Sequence, residues 1–171
     1  GSMVARRAAA FDMNILAADP FVTPPAGGPV EMTDVDDLAA RADVVSLHMR
    51  LTEDTRRIID ARRIASMKPT AILLNTARGE LIDEPALVAA LKERRIAGAV
   101  LDVFEVEPLP DSSPLRRMDN VFLSPHVAGH MGQAAPVECR RGEVRQAPQR
   151  VLPVARRLGR PGGAARVALR P

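Results

Sequence analysis

The amino-acid sequence predicts an α/β fold with a doubly wound parallel sheet. Short apolar runs recur along the chain without alternating polar residues, which is typical of strands buried on both faces. Segments of helical periodicity separate these runs, and such an alternation favours parallel strands joined by helices. With 171 residues, the chain is long enough for one domain with a hydrophobic core and too short for two comfortable ones.

The predicted helices follow from composition, apolar spacing and capping residues. Residues 4–11 are rich in alanine and open the chain as a helix. Thr33 or Asp34 can cap the second helix, and Asp83 can cap the fourth, where apolar residues recur at helical spacing. The predicted helices are 4–11, 34–42, 60–67 and 84–95, with a helical turn at 113–118.

The predicted strands are short apolar segments that lie between these helices. Residues 21–30 are dense in Pro and Gly and are predicted to form a loop. The predicted strands are 14–19, 43–48, 71–75, 97–104 and 121–124. Five polar or charged residues lie at or near the carboxyl ends of these strands, namely Asp19, His48, Arg78, Asp102 and His126. Since doubly wound sheets bind ligands at that edge, the pattern predicts a ligand-binding domain.

Composition excludes several classes of protein. The single cysteine, Cys139, excludes an internal disulfide bond and favours a reducing compartment. We find no apolar run of membrane-spanning length and no signal-peptide pattern, so we expect a cytoplasmic protein without a membrane partner. No metal site is predicted.

Positive charge is concentrated at the C-terminal end. Residues 137–171 contain nine Arg and two Glu, a local charge of +7, whereas the whole chain carries +3. The preceding residues therefore carry −4, which argues against a nucleic-acid partner for the folded part. We divide the chain into a domain over 1–133 and a basic tail over 134–171, rich in Arg, Pro, Gly and Ala.

Two hypotheses for this tail stay open. It is either a natural disordered basic segment or the product of a frameshift near residues 133–137, because codons for its four dominant residues can be all G and C. Translating the other frames of the coding DNA tests the second hypothesis, since a helix typical of the domain should then reappear.

Asp19 is the first candidate for cofactor binding. An acid that ends the second strand of a dinucleotide-binding fold accepts hydrogen bonds from the adenosine ribose and repels a 2′-phosphate, which favours NAD over NADP. The alternative is an ordinary turn residue before Pro20. The glycine fingerprint that should precede such an acid is absent, and either Gly1 is its third glycine or Gly1 and Ser2 are a cloning scar ahead of Met3.

Arg78, Glu107 and His126 are the candidates for catalysis. The guanidinium of Arg78 suits a carboxylate. His126 is a natural proton shuttle that a carboxylate such as Glu107 can orient. Taken one at a time, each residue also has a structural explanation: a buried ion pair, a solvated acid and a loop cap.

Two longer segments, "LLNTARGELIDEPALVAALKERRIAGAVLDVFEVEPLP" and "SPLRRMDNVFLSPHVAG", closely resemble the D-isomer-specific 2-hydroxyacid dehydrogenases. The resemblance runs from Gly1 to about Gly132 and implies a Rossmann-like domain that uses NAD. It implies that Arg78 binds the carboxylate of a small 2-hydroxy or 2-keto acid, that His126 transfers the proton, and that Glu107 pairs with His126. The family's cofactor residues fall on Gly1, Asp19, Met49, Thr76, Ala77, Arg78, Asp102, His126 and Gly129.

The sequence also departs from the family. Arg50 stands where the family commonly has Pro, in the segment beside the cofactor. The first strand and the substrate domain precede the family's glycine motif, so we expect this chain to lack both, and we expect two unpaired inner edges in its sheet.

Three interpretations of function follow from the resemblance. The first is an oxidoreductase fragment that transfers hydride between NAD and a small D-2-hydroxy acid, homodimeric at full length. The second is an inactive fragment, and the third is an NAD-binding module without catalysis. The intact catalytic trio favours the first.

Overall fold

The computed structural model describes residues 1–22 and 29–129 and the backbone of one further strand at 166–169. Its centre is a seven-stranded sheet in the order β2-β1-β7-β3-β4-β5-β6, in which every pair of neighbours is parallel. The strands are β1 Asn14–Ala17, β2 Val30–Met32, β3 Val44–Leu47, β4 Ile72–Asn75, β5 Gly98–Leu101, β6 Val121–Leu123 and β7 Arg166–Leu169.

Helices connect the strands. They are α1 Ser2–Ala9, α2 Val35–Arg41, α3 Ala61–Ser66 and α4 Glu84–Lys92, with 3₁₀ turns at Gly79–Leu81 and Pro114–Arg117. Asp34 caps α2 and Asp83 caps α4, where its carboxylate accepts the Ala86 N–H at 3.0 Å. The α/β class, the parallel sheet and both caps are therefore confirmed. In the part of the chain that the structure describes, no helix is long and apolar enough to cross a membrane.

The main hydrophobic core lies around β3, β4 and β5. Leu73 of β4 is fully buried, and Leu87 and Leu91 of α4 pack into the same cluster. β3, β4 and β5 are covered by helices on both faces of the sheet. Their sequences therefore do not alternate between apolar and polar residues. This core holds the carboxyl edge of the sheet in place.

Two sequence-based expectations about the sheet were wrong. The predicted loop at 21–30 ends in a strand, because Val30 begins β2 and pairs with Ile15. The two inner edges are not unpaired, because β7 lies between them, with Leu16 and Val45 both in register with Ala168. β7 thus occupies the central position that the first strand takes in the doubly wound order 3-2-1-4.

The predicted tail over 134–171 is described only at Arg166–Leu169. These four residues form a strand. The rest of the tail lies outside the described residues, so the domain boundary at 133 and the frameshift hypothesis stay predictions.

Candidate active site

The candidate residues from the sequence gather along one edge of the sheet. Because all the strands are parallel, their carboxyl ends face the same side. His48 and Asp102 directly follow β3 and β5, and the other three residues come two or three positions after β1, β4 and β6. The predicted clustering of Asp19, His48, Arg78, Asp102 and His126 at this edge is confirmed.

Glu107 and His126 form the central pair of the site. Oε2 of Glu107 lies 2.8 Å from Nδ1 of His126. The other carboxylate oxygen accepts the backbone N–H of Phe104 at 3.0 Å, which fixes the orientation of the group. Since a carboxylate only accepts, Nδ1 carries a proton toward Glu107, and Nε2 is left as the ring atom that can exchange a proton with a ligand.

The same contacts keep Glu107 ionised. Burial by itself raises the pKa of this carboxyl group, but the hydrogen bonds from His126 and from the Phe104 N–H lower it by more, so the pKa of Glu107 lies below its ordinary value. An ionised Glu107 accepts the Nδ1 proton of His126 in a charge-assisted hydrogen bond, which orients the imidazole ring.

Asp102 holds the loop on which His126 lies. Its side chain is 2% exposed, and its carboxylate accepts Ser124 Oγ at 2.5 Å, the Val127 N–H at 3.0 Å and the Ala128 N–H at 2.9 Å. Its backbone carbonyl accepts the His126 N–H at 2.8 Å. Burial raises the pKa of Asp102, but these hydrogen bonds outweigh burial and lower it overall.

This anchoring compensates for an unfavourable backbone conformation. His126 has φ 54°, in the left-handed region that a residue with a side chain rarely adopts. Such conformations cost about 1–3 kcal/mol and persist where surrounding contacts impose them. The bonds from Asp102 on both sides of His126 supply that constraint, so Asp102 positions the loop that carries His126.

Arg78 lies in a tight turn after β4. Asn75, which is fully buried, donates from Nδ2 to the Arg78 carbonyl at 2.8 Å and accepts the Ala77 N–H at 3.0 Å, so one side chain shapes the whole turn. The Arg78 side chain is exposed and donates to the Ala77 carbonyl at 2.6 Å. Among the described residues it has no acidic partner, which leaves its charge available to an anion.

Gly79 allows this turn to approach the segment that carries Glu107. A Cβ at position 79 would lie 1.9 Å from the backbone carbon of Phe104 and 2.5 Å from the Glu105 nitrogen. Only glycine fits here, so the turn of Arg78 and the loop of Glu107 are in direct backbone contact. Asn75, Gly79 and Ser124 were not predicted to contribute to the site; the signal for the first two was their place in "NTARGE" after an apolar strand.

A cavity of about 980 Å³ lies at the ends of β1 and β3. Asp19, Met49 and Arg50 line it, together with Thr33 and Asp34 at the start of α2. Asp19 accepts the Phe21 N–H at 2.8 Å through one carboxylate oxygen. The volume lies at the upper end of the range for small-molecule sites, about 300–1,000 Å³.

The other predicted cofactor residues lie outside this cavity. Thr76 and Ala77 belong to the turn after β4, and Gly129 follows the His126 loop, where no atom of the described residues lies within 4 Å of a Cβ built at position 129. Gly1 is the N-cap of α1, at the start of the helix. Their contacts with a cofactor stay predictions.

His48 has a different role from His126. Its Nε2 lies 2.9 Å from Ser46 Oγ. Burial, with a smaller effect from the ammonium group of Gly1, lowers the pKa of His48 to about 4, so it is neutral at pH 7. It is a structural partner of Ser46 at the end of β3.

Comparisons with known proteins agree with this geometry. The family model for the D-isomer specific 2-hydroxyacid dehydrogenase, NAD binding domain, matches residues 1–128. A glyoxylate reductase of Thermofilum pendens is 47% identical over 135 residues, which cover 75% of this chain and 39% of that protein. An (S)-sulfolactate dehydrogenase of Chromohalobacter salexigens is 46% identical over 129 residues, which cover 74% of this chain and 42% of that protein.

Solved structures give the same result. A D-isomer specific 2-hydroxyacid dehydrogenase from Lactobacillus delbrueckii ssp. bulgaricus, in its NAD-complexed form, has a TM-score of 0.66 and 36% identity. An NADPH-dependent glyoxylate/hydroxypyruvate reductase from Sinorhizobium meliloti has a TM-score of 0.68 and 30% identity. Each alignment covers 74% of this chain and 42% of the solved chain. The chain thus spans about two fifths of the length of these proteins.

Proposed function

Because this chain belongs to the D-isomer-specific 2-hydroxyacid dehydrogenases through their NAD-binding domain, we propose that it supports hydride transfer between NAD and a small D-2-hydroxy acid. The observation that carries the proposal is the pair between Glu107 and His126, at 2.8 Å, on the ligand-binding edge of the sheet. NAD, when bound, supplies or accepts the hydride at the C2 carbon of the acid.

His126 is proposed as the proton donor and acceptor. In the direction of reduction, Nε2 of the protonated ring donates to the oxygen of the 2-keto group, and in oxidation the same atom removes the hydroxyl proton. The Glu107 carboxylate accepts the Nδ1 proton and keeps Nε2 directed away from itself. The hydrogen bonds to Asp102 hold the loop that carries the ring.

Arg78 is proposed to bind the substrate carboxylate. A guanidinium binds a carboxylate through two parallel N–H bonds, which fixes both the position and the plane of the acid. The exposed side chain of Arg78, without an acidic partner among the described residues, supports this role. Asn75 is proposed to set the turn from which Arg78 extends.

The cavity beside β1 and β3 fits the adenosine part of the cofactor. Asp19 and Met49 line this cavity; Asp19 is proposed to accept hydrogen bonds from the ribose hydroxyl groups and to oppose a 2′-phosphate, and Met49 is proposed to lie against the cofactor. Thr76, Ala77, Asp102 and Gly129 are proposed to border the nicotinamide side, and Gly1 the phosphates. These assignments are supported by their place along one edge of the sheet.

The partners of the whole protein are also proposals. A homodimer is supported by exposed apolar residues on and beside α1, where Met3 is 64% exposed and Phe11 is 79% exposed. The charge of −4 outside the basic tail argues against a nucleic-acid partner for the folded part. Cytoplasmic function is supported by the use of a single cysteine.

The test is NADH oxidation by the purified chain with glyoxylate and with hydroxypyruvate, followed by absorbance. His126→Asn should lower kcat by about 10²–10⁴-fold, because that is the contribution of a positioned general acid. The same variant should still show a rise in melting temperature with NADH, since ligand binding stabilises the native state. Equal rates for the two proteins would contradict the role of His126, and stabilisation without turnover would leave only an NAD-binding module.

A further inference from the structure

A second cavity adjoins the catalytic pair. It has a volume of about 530 Å³ and lies between the segment after β5, the 3₁₀ turn at Pro114–Arg117 and the end of β6. Its charged lining residues are Glu107, His126 and Arg116. The remaining lining residues are Phe104, Pro108, Leu109, Leu123, Ser124 and Pro125. Arg116 is therefore a cation in the same cavity as the proton donor.

Arg116 is held in place by one edge of its guanidinium group. Its Nε donates to the Pro110 carbonyl at 3.0 Å, and its Nη2 donates to the Leu109 carbonyl at 2.5 Å. The side chain is 28% exposed. Two hydrogen bonds to backbone carbonyls restrict the rotamers of this long side chain. Binding of a ligand would therefore cost little additional side-chain entropy.

The other edge of the guanidinium is available. Within residues 1–22 and 29–129, no acceptor lies within hydrogen-bond distance of Nη1 of Arg116. The acid nearest to the group, Asp111, is 3.5 Å from Nη2 and its side chain is fully exposed. Solvent screens such a pair, so it leaves most of the positive charge uncompensated.

The charges in this cavity favour an anion. Glu107 is ionised and pairs with His126. When His126 is protonated for reduction of a keto acid, these two charges cancel and Arg116 adds one positive charge. A carboxylate, phosphate or sulfonate group fits an arginine edge with two N–H donors.

We propose that Arg116 binds a second anionic group of the substrate, so that the site prefers 2-hydroxy and 2-keto acids that carry a negative charge at the end distant from the reacting carbon. This inference rests on the proposed function, because it concerns the substrate of the same site. Arg78 binds the carboxylate next to the reacting carbon, and Arg116 binds the distal group.

Calorimetric titration of the whole chain with two hydroxy acids tests this. D-Malate and D-2-hydroxybutyrate have the same chain length and differ in a distal carboxylate or methyl group. With NADH bound, neither can react, because cofactor and acid are both already reduced. The ratio of their dissociation constants therefore measures recognition of the distal group without turnover.

The wild-type chain should bind D-malate about tenfold more tightly than D-2-hydroxybutyrate, which is the size expected for one charge-assisted hydrogen bond. Arg116→Leu and Arg116→Gln should both abolish this preference. The glutamine variant keeps N–H donors for the carbonyls of Leu109 and Pro110, so it separates charge from folding. Arg117→Leu, a change of equal charge at an exposed neighbour, is the control and should keep the preference.

Three outcomes overturn the inference. They are equal affinities in the wild-type chain, a preference that survives Arg116→Gln, and an equal loss with Arg117→Leu, which would indicate bulk charge alone. If D-2-hydroxybutyrate binds and its keto form is reduced, the proposed function stands without this subsite. If neither acid binds, the inference about Arg116 fails, and NADH oxidation with glyoxylate decides the proposed function separately.

Discussion

The two halves of the sheet differ in what holds them together. The β4 half, which contains β3 to β6 with α3 and α4, contributes most of the main core and carries Arg78, Glu107 and His126. The β1 half contains β1, β2 and β7 with α1 and α2. Beneath α1 a smaller cluster has Ala8 and Ile15 as its buried members.

The two halves therefore differ in what orients their ligand-facing turns and in what joins their strands. In the β4 half, the buried side chains of Asn75 and Asp102 are hydrogen-bonded and orient the turns that follow β4 and β6. In the β1 half, Leu16 and Leu38 pack into the main core, and the backbone of β7 pairs with β1 on one side and β3 on the other. The turns after β4 and β6 thus depend on local packing, whereas the hydrogen bonding of the sheet across its two halves depends on a strand that is distant in the sequence.

The largest effect should come from adding one methyl group in the β4 half. In Gly79→Ala, the new Cβ would meet the Phe104 backbone carbon at 1.9 Å, and backbone cannot rotate away as a side chain does. We expect a loss of about 3 kcal/mol or more in the free energy of unfolding, at the upper end of overpacking costs. Denaturant unfolding measures it.

Gly129→Ala is the matched control, since in the described part of the chain nothing lies within 4 Å of a Cβ at that position. We expect its unfolding free energy to change by less than about 0.5 kcal/mol, as for a surface substitution. Equal losses at positions 79 and 129 would contradict the direct contact between the turn of Arg78 and the loop of Glu107.

An intermediate effect should follow from breaking β7. Ala168 is in register with Leu16 on one side and Val45 on the other, so its N–H faces a neighbouring strand. Ala168→Pro removes that donor and leaves a carbonyl without its partner, which costs about 1–3 kcal/mol. The variant should melt earlier and gain less from NADH.

Ala168→Gly is the control for this change, because it keeps the N–H and should cost about 0.5–1 kcal/mol or less. A proline variant that melts like the glycine variant would mean that β7 does not hold the two halves together. Catalytic assays on both variants then show whether the β4 half keeps its geometry when the sheet is interrupted.

The sequence predicted the structure of the β4 half more completely than that of the β1 half. Continuous apolar strands, the caps at Asp34 and Asp83 and the polar residues at strand ends are local signals, and the structure bears them out. β2 was missed because Pro and Gly dominate the segment before Val30. β7 was missed because a strand paired across more than one hundred residues leaves no local periodicity.

Within the site, the pairing of Glu107 and His126 could be predicted only from the resemblance to a family. Periodicity in the sequence does not indicate which residues of two different loops lie in contact. The contacts of Arg116, and the approach that requires Gly79, depend on backbone atoms of distant segments. Such backbone contacts have no signature in the amino-acid sequence, so only the structure reveals them.

The smallest effect concerns the pH dependence of the His126 loop. The pKa values of Asp102 and Glu107 are lowered in the folded state from ordinary values of 3.8 and 4.5, because hydrogen bonds to the carboxylates outweigh burial. The folded chain therefore holds fewer protons than the unfolded chain in this range. The stabilisation is fully present above about pH 5 and is lost as the pH falls through the lowered values.

Melting temperature measured from pH 7 to pH 2 should accordingly fall more steeply in the wild-type chain than in Asp102→Asn, which cannot titrate and is already less stable at pH 7. One unit of pKa difference corresponds to about 1.4 kcal/mol, and Asp36, whose pKa is also lowered, contributes equally to the profiles of both proteins. Glu53→Gln, at an exposed position, is the control and should follow the wild-type profile. If Asp102→Asn keeps the wild-type slope, the carboxylate of Asp102 does not anchor the loop through its charge, and the left-handed backbone of His126 must be held by its other contacts.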